Sequence, residues 1–376
     1  MAKTYKHIPF LVLFIILAGC ITNFVPDVYE DRELIVVEGL VTDQPGVNTI
    51  KISKSLPLGK KANAKPVKKC TVSLTDDLGI TTYLTETDDG VYETDPASFR
   101  GEVGRVYILN IKTNDASFKN YTYTSLPMEM KPVPGIDTLY YEKLLLAERT
   151  IFAQKQEGVQ VYLETHDPTS ECKFYRWDYT ETWEFRLPFP VTNRVCWLSS
   201  NSSKIQIKNT SVLSEDRIEK FPLIFIDNNT DRLKARYSIL VDQYSLNEDE
   251  FGYWEKMQNI SQNVGGLYDV TPGAVPSNIF CVEDPNEEAL GYFSVSAKSS
   301  RRLFIEEIFW GIINLYRDCV ADTINGPASV PIPGLGTYVW ILEDKSLEIP
   351  PFRVITEIKG CADCTVRGTN VKPDFW

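Results

Sequence analysis

The sequence predicts an all-β, mainly antiparallel protein, with an N-terminal immunoglobulin-like sandwich followed by a larger β-rich domain that contains one clear helix. Three observations predict this fold: short β-rich runs separated by turn residues, one long run of alternating aromatic and polar residues, and a single segment with helical periodicity. The chain has 376 residues, of which 43% are hydrophobic and 24% charged. This composition is typical of a globular protein, and the length favours two domains.

The first element is an export signal. Lys3 and Lys6 precede an apolar run over residues 8–17, which is about half the length that a bilayer-spanning helix needs. The run ends in a Leu-Ala-Gly-Cys sequence at Cys20, which matches the bacterial lipobox. We therefore predict a signal peptide over residues 1–19.

Cleavage at the lipobox would leave Cys20 as the first residue, with a covalent lipid on its sulfur. Several acyl chains on one residue give stable membrane anchoring. Residues 20–33 contain Pro26 and four acidic groups with little periodicity, so we predict a lipidated tether there.

Residues 34–126 form the predicted immunoglobulin-like sandwich. Its β-rich runs are separated by turn sequences rich in Asp and Gly. The runs cover residues 34–41, 49–53, 70–75, 81–85, 90–94 and 105–112. Three prolines within residues 127–135 predict a linker after the sandwich.

The second predicted domain, residues 136–376, begins with β-rich runs at 159–164 and 174–187. In the second run the odd positions are apolar and the even positions mostly polar, which is a strand pattern. Its aromatic residues are favoured as a core face, because a second domain needs large buried side chains. The alternative is that Tyr175, Trp177 and Tyr179 form a stacking platform for sugars.

One helix is predicted near residues 247–264. Asn247 can cap it, three acidic residues follow at the positive end of its dipole, and Gly265-Gly266 can end it. Its apolar positions recur with helical spacing at Tyr253, Met257, Ile260 and Val264. The segment 304–316 is ambiguous, and we favour a strand for its first half.

The cysteines predict disulfides. Of the eight in the chain, seven remain after Cys20, so three bridges and one free thiol can form in an oxidising compartment. Cys361 and Cys364 have the spacing of a redox pair, but the residues after them do not begin a helix, which favours a structural role. We favour a bridge from Cys319 to Cys361 or to Cys364, which would contribute roughly 4 kcal/mol by closing a long loop.

Catalytic motifs are lacking. The sequence contains no HExxH, GxSxG or P-loop pattern, and no second close cysteine pair for a zinc site. His166, the sole histidine after the signal peptide, stands beside Asp167 and is favoured as a solvated loop residue. We predict no enzymatic activity, no metal and no cofactor other than the lipid on Cys20. The net charge of −12 argues against a nucleic-acid partner.

A basic segment stands out in this acidic chain. Seven lysines and no acidic residue lie between residues 51 and 69. A solvated hairpin loop is favoured over a contact with phosphorylated lipid or an acidic partner.

Several sequence segments together resemble the Bacteroidota lipoprotein family known as domain of unknown function 4249, over almost the whole mature chain. The segments are Leu34-Ile35-Val36-Val37-Glu38-Gly39-Leu40-Val41-Thr42-Asp43, Asp88-Asp89-Gly90-Val91-Tyr92, His166-Asp167-Pro168, Phe174-Tyr175-Arg176-Trp177, Tyr253-Trp254, Leu290-Gly291-Tyr292-Phe293, Cys361-Ala362-Asp363-Cys364 and Lys372-Pro373-Asp374-Phe375-Trp376. The resemblance brings no catalytic residues. It implies an accessory lipoprotein that accompanies a TonB-dependent transporter of the outer membrane.

These observations lead to one expected function and two alternatives. We expect a non-enzymatic lipoprotein, anchored in the outer membrane by its lipid, that is an accessory or ligand-binding partner of a TonB-dependent β-barrel transporter. The first alternative is a surface adhesin or glycan-binding lipoprotein that uses the aromatic strand. The second is a carboxylate-based hydrolase, which would need two acidic residues facing each other in a cleft. The sequence leaves open which side of the membrane the protein faces.

Overall fold

The computed structural model describes residues 33–55, 64–146, 156–262, 275–307, 309, 316 and 318–376. The predicted signal peptide, Cys20 and nearly all of the tether lie outside these residues. The described part is all-β, as predicted, with several antiparallel sheets and one long helix, α1 (Glu248–Gln262). Every helix in this part falls short of the length and apolar content that crossing a membrane requires.

The strands are numbered in chain order. The first ten are β1 (Ile35–Thr42), β2 (Thr49–Lys54), β3 (Lys65–Pro66), β4 (Thr71–Asp76), β5 (Thr81–Tyr83), β6 (Thr85–Asp88), β7 (Val91–Glu93), β8 (Val106–Lys112), β9 (Thr122–Ser125) and β10 (Met128–Glu129). The next ten are β11 (Ile136–Leu146), β12 (Gln156–His166), β13 (Phe174–Arg186), β14 (Val195–Asn201), β15 (Gln206–Asn209), β16 (Arg217–Asp227), β17 (Tyr237–Ser245), β18 (Ile279–Cys281), β19 (Ala289–Ser296) and β20 (Lys298–Ile305). The remaining elements are β21 (Asp322–Asn325), β22 (Trp340–Lys345), β23 (Phe352–Thr356) and the short helix α2 (Lys359–Ala362).

Two six-stranded sheets form the first sandwich. One has the order β19-β1-β2-β7-β6 with β3 beside β2, and the other has the order β18-β9-β8-β4-β5 with β10 beside β8. Alternate strand residues point between the sheets, so that Val37 and Ile50 from one sheet and Leu109 and Ile111 from the other are buried in one core.

The chain does not complete this sandwich within residues 34–126, so the predicted boundaries need correction. β19 pairs in parallel with β1, and β18 pairs with β9. A β-hairpin can supply only an antiparallel neighbour, so a parallel partner for β1 must come from a distant part of the chain. Segment 127–135 is not a free linker either, because it contains β10 and because the Pro134 carbonyl accepts a hydrogen bond from Gln243.

The second sandwich packs the three-stranded sheet β11-β12-β16 against the sheet β14-β13-β17-β20, in which β15 also pairs with β13. β13 confirms the strand predicted from its alternating pattern. Trp177 lies fully buried between the sheets, 4.4 Å from Phe221 between ring centroids, and its indole Nε1 donates to Gln243 Oε1 at 2.8 Å. The strand predicted for the first half of 304–316 is confirmed at Phe304 and Ile305, where β20 ends, and is wrong at residues 306 and 307. Residues 308 and 310–315 lie outside the described part.

Helix α1 joins the two sandwiches. It begins directly after Asn247, as predicted, while Val264 and Gly265-Gly266 lie outside the described residues. Phe251 packs against Phe174 of the second sandwich at 5.3 Å between ring centroids, and Tyr253 packs against Tyr292 of the first at 4.7 Å. The helix therefore covers the junction between the sandwiches, with Phe251 directed to one sandwich and Tyr253 to the other.

A third, smaller sheet follows, with the order β21-β23-β22. The residues after it return to the second sandwich, where Trp376 packs edge-to-face against Trp197 and Phe304. Arg302 stacks over the Phe375 ring at 3.5 Å from the ring centroid. Both aromatic rings at residues 375 and 376 therefore pack against the second sandwich.

Candidate ligand-binding cleft

Two clefts adjoin each other at Arg176 and Trp254, which line both. The larger measures about 450 Å³ and lies on the outer face of β13 and β17. The smaller measures about 260 Å³ and lies against β1, β2 and β19. We call the larger one the Arg176 cleft. Its volume is in the range of known small-molecule sites.

Strand alternation explains which side chains reach the Arg176 cleft. The odd positions of β13 point into the core, so Arg176, Asp178 and Thr180 share the opposite face. Asp242 of β17 joins them, and residues 201–205 and Trp254 of α1 form the walls. The side chains at polar positions of the alternating run therefore form the floor of the cleft.

Asp178 and Asp242 are direct neighbours across the β13–β17 pair. Like charges in this position are destabilising in an antiparallel sheet. Each carboxylate has a cationic neighbour: Arg176 Nη2 lies 3.0 Å from Asp178 Oδ2, and Lys298 Nζ lies 3.4 Å from Asp242 Oδ2. Ser300 also donates to Asp242 at 2.5 Å. The surrounding donors thus offset the repulsion between Asp178 and Asp242, and both carboxylates border an open cleft.

Arg176 is held rigidly between two aromatic rings. Its guanidinium carbon lies 4.4 Å from the Trp254 ring centroid and 4.8 Å from that of Tyr244, as in cation–π stacking. The residue is 8% exposed, and its Nε has no hydrogen-bond partner among the described residues. A buried donor without a partner is costly. Arg176 therefore brings a positive charge to the cleft, while its Nε stays buried without a partner among the described residues.

Glu250 lies beneath the wall that Trp254 forms. Its side chain is fully buried, and Trp254 Nε1 donates to Glu250 Oε1 at 3.4 Å. Burial raises the pKa of Glu250 to about 7, against the opposing effects of Ser294, Arg176 and Trp254. The carboxyl group that supports Trp254 thus titrates near neutral pH.

The smaller cleft continues on the other side of Trp254. Tyr253 and Tyr292 are aromatic members of its lining, and Glu38 and Lys51 face each other across the β1–β2 pair at its border. Several segments that carried the sequence resemblance, those around Glu38, Arg176, Trp254 and Tyr292, meet at these two clefts.

The three aromatic residues considered as a stacking platform for sugars are buried. Tyr175 and Trp177 are 0% exposed and Tyr179 is 7% exposed, so no open ring face is left for a sugar. The core interpretation, which the sequence favoured, is correct, because the opposing sheet covers these rings. Tyr179 borders the Arg176 cleft, but the accessible aromatic side chain there is Trp254, which is only partly buried.

Other sequence candidates have structural roles. His166 Nδ1 lies 2.6 Å from Asp137 Oδ2, so its carboxylate partner is not the adjacent Asp167. Asp167 instead accepts backbone hydrogen bonds in its own loop, including one from Cys172 at 2.8 Å. Within the described residues no three His, Cys, Asp or Glu side chains converge in a way that would hold a metal ion.

The basic segment is partly neutralised by acidic residues from elsewhere. Lys54 pairs with Glu33 at 3.2 Å and is buried, and Lys68 pairs with Asp89. Lys60 and Lys61 lie outside the described residues. Lys54, Lys65 and Lys68 are thus part of local ion pairs on the first sandwich.

The cysteines form two bridges among the described residues, Cys196–Cys364 and Cys319–Cys361. The second is one of the two pairings that the sequence favoured, and the first resolves the role of Cys364. Cys361 and Cys364 therefore do not form a redox pair with each other.

A further cleft of about 600 Å³ lies beside Trp376. Two of its arginines are paired with acids in the same cleft, Arg186 with Glu184 and Arg236 with Glu306. Phe309, which also lines it, is flanked on both sides by residues outside the described part. We therefore assign the functional site to the Arg176 cleft.

The fold and the cleft define the class: an all-β protein of two sandwiches, with a cleft between the second sandwich and helix α1. The chain belongs to the family described as Domain of unknown function (DUF4249), whose model matches residues 21–302. No curated protein matches the chain. The match includes both sandwiches and the Arg176 cleft. It stops before the third sheet, so the resemblance of the segments after residue 302 stays a prediction.

Proposed function

We propose that this protein is a non-catalytic, ligand-binding lipoprotein of the outer membrane that acts beside a TonB-dependent transporter. The observation that supports ligand binding is the pair Asp178 and Asp242, two like charges held side by side at an open cleft next to the stacked Arg176. Two like charges side by side destabilise a sheet, and destabilising arrangements are concentrated at functional sites.

The lipobox at Cys20 and the resemblance to accessory lipoproteins support the anchor and the transporter. In this proposal the lipid on Cys20 holds the protein at the membrane, and the cleft captures a ligand before transport. Bacteroidota origin is part of the same proposal.

The carboxylate pair also gives one observation in favour of the hydrolase alternative, since paired acids in a cleft are what a glycosidase uses. Both carboxylates contact cations, however, and Asp242 also accepts a hydrogen bond from Ser300. Carboxylates in this setting suit acceptance of hydrogen bonds from a ligand better than proton donation. We therefore place the hydrolase second.

Affinity purification tests the transporter role. A tagged protein is purified from solubilised outer membranes of its native host, and the co-purifying proteins are identified by mass spectrometry. We expect a TonB-dependent β-barrel transporter in clear excess over a mock purification with an unrelated tagged lipoprotein. Recovery of the protein without such a transporter would contradict the proposal.

A further inference from the structure

We infer that the Arg176 cleft binds a neutral oligosaccharide, with one sugar ring against Trp254 and sugar hydroxyls on Asp178 and Asp242. This inference rests on the ligand-binding part of the proposed function and names the ligand class. It uses the face of β13 opposite to the aromatic face considered from the sequence alone.

The charge of the cleft argues for a neutral ligand. Its charged lining residues are two aspartates, one arginine and one lysine, Lys204, so the formal charges balance. A phosphate or a polyanion would meet Asp178 and Asp242, and a cationic ligand would meet Arg176 and Lys204. Specific binding avoids such like-charge contacts, because they cost several kcal/mol in affinity.

The sheet topology argues against an extended peptide. A peptide that adds to a sheet needs a strand edge with unpaired backbone groups. β13 is paired with β17 on one side and with β14 and β15 on the other, and β17 is paired with both β13 and β20. The floor of the cleft therefore offers side chains to a ligand, and its backbone hydrogen bonds are used within the sheet.

The side chains fit sugar hydroxyls. A hydroxyl both donates and accepts, so its site needs acceptors and donors close together. The carboxylates of Asp178 and Asp242 are acceptors, the Lys204 ammonium group is a donor, and the Asn201 amide has both kinds of group. Arg176 covers one face of the Trp254 ring, and the part of the ring that borders both clefts supplies an apolar surface for the C–H groups of a sugar.

The size of the site indicates a chain of sugars. The larger and smaller clefts lie on the two sides of Arg176 and Trp254, and both are open. A ligand that crosses Trp254 can occupy both, which a single monosaccharide cannot do. We therefore assign Trp254 to the middle of the bound chain.

Calorimetric titration of the full protein tests this assignment. The probes are gluco-, galacto-, manno- and xylo-oligosaccharides of four to six residues, with oligogalacturonate and a neutral hexapeptide as comparison ligands. We expect a neutral oligosaccharide to bind and the matching monosaccharide to bind at least about tenfold more weakly. Oligogalacturonate and the peptide should not bind.

Two variants locate the binding. Trp254→Ala and Asp178→Asn should each weaken binding by about tenfold or more, as expected for a central contact. Asp178→Asn keeps the side-chain shape, so it stays informative if Trp254→Ala fails to fold. Tyr83→Ala and Asp374→Asn, exposed residues outside the cleft, are the matched controls and should bind as the unmodified protein does.

Three results would overturn the inference: no binding of any neutral oligosaccharide, preference for oligogalacturonate or the peptide, or unchanged binding in both cleft variants. Incubation of a bound oligosaccharide followed by a reducing-end assay separates binding from hydrolysis, and we expect no release of reducing ends. The transporter experiment does not use these probes, so the two proposals can fail independently.

Discussion

At the scale of the residue, the cleft depends on polar side chains that sit at the even positions of one strand. Arg176 and Asp178 alternate with the buried Tyr175 and Trp177, so a single strand supplies both the core of the second sandwich and the floor of the cleft. The sequence signal was present, since these positions are polar, but polar residues on one face of a strand are also typical of an ordinary solvent-exposed surface. What distinguishes them is Asp242 directly across the strand pair, which only the register reveals.

Glu250 gives a prediction at this scale. Because burial raises its pKa from 4.5 to about 7, the folded protein keeps this proton between those pH values while the unfolded chain loses it. The contribution of Glu250 to stability is therefore full below about pH 4.5, falls as the pH rises and levels off above about pH 7. The total change is about 3 kcal/mol.

Glu250→Gln should remove this dependence, because glutamine resembles the protonated acid at every pH. Urea unfolding at pH 5, 6, 7 and 8 measures the free energy of unfolding of both proteins. As the pH rises, the free energy of unfolding of the variant should increase relative to that of the unmodified protein. Glu248→Gln, at an exposed position of the same helix, is the control. A constant difference between Glu250→Gln and the unmodified protein would show that this carboxyl group does not titrate in that window.

At the scale of the element, strand β19 decides how the first sandwich is completed. It pairs in parallel with β1 although about 250 residues separate them, which brings Tyr292 and Ser294 to the smaller cleft. Gly291 permits the close approach, because its φ of +85° is a conformation that favours glycine and because a Cβ would collide with the Val37 carbonyl oxygen.

Gly291→Ala should therefore destabilise the protein by about 1–3 kcal/mol, since it adds both backbone strain and a clash with another strand. Gly252→Ala is the control, and its expected effect on stability has the opposite sign. Gly252 lies inside helix α1 with no atom within 4 Å of a Cβ, so alanine should stabilise by up to about 1 kcal/mol. Thermal unfolding followed by circular dichroism compares the three proteins, and equal stability of Gly291→Ala and the unmodified protein would contradict the β1–β19 pairing.

The two disulfides give a second prediction at this scale. Cys319–Cys361 closes a loop across 42 positions, and Cys196–Cys364 ties the residues after the third sheet to β14. Non-reducing peptide mapping should recover both linked pairs. Replacing Cys319 and Cys361 by alanine should lower the free energy of unfolding by about 2–5 kcal/mol, whereas Cys70→Ser should leave both bridges intact. Free thiols at Cys361 and Cys364 in protein from the envelope would contradict the bridges.

At the scale of the whole molecule, the cleft exists because two sandwiches and a helix meet. The second sandwich and the helix line the Arg176 cleft, and the smaller cleft beside it adds Glu38 of the first sandwich. Segment 127–135 fixes the relative position of the sandwiches, since Ser245 donates to the Lys131 carbonyl at 2.6 Å and Gln243 donates to that of Pro134 at 2.9 Å. A site of this kind depends on the rigidity of the junction.

The lipid anchor gives the prediction for the whole molecule. Cys20→Ala removes the thiol that the lipobox places at the cleavage site, so acylation cannot occur there. After cell fractionation this variant should leave the outer-membrane fraction and appear with the periplasmic proteins. Replacement of Cys70, which lies in the first sandwich, is the control and should not change the localisation. Retention of Cys20→Ala in the membrane after a high-salt wash would mean that protein contacts hold it there.

Local patterns in the sequence determined the class of fold, most strands of the first sandwich, the aromatic core strand and the start of the helix near Asn247. These features follow from periodicities of two and 3.6 residues and from turn and capping residues, which are properties of neighbours in the chain. Tertiary structure decided which strands complete the first sandwich, which cysteines pair and which polar residues share a cleft. These features depend on contacts between residues far apart in sequence, such as Glu38 with Tyr292 and Asp178 with Asp242. The pattern of a short segment does not indicate which distant segment it will contact.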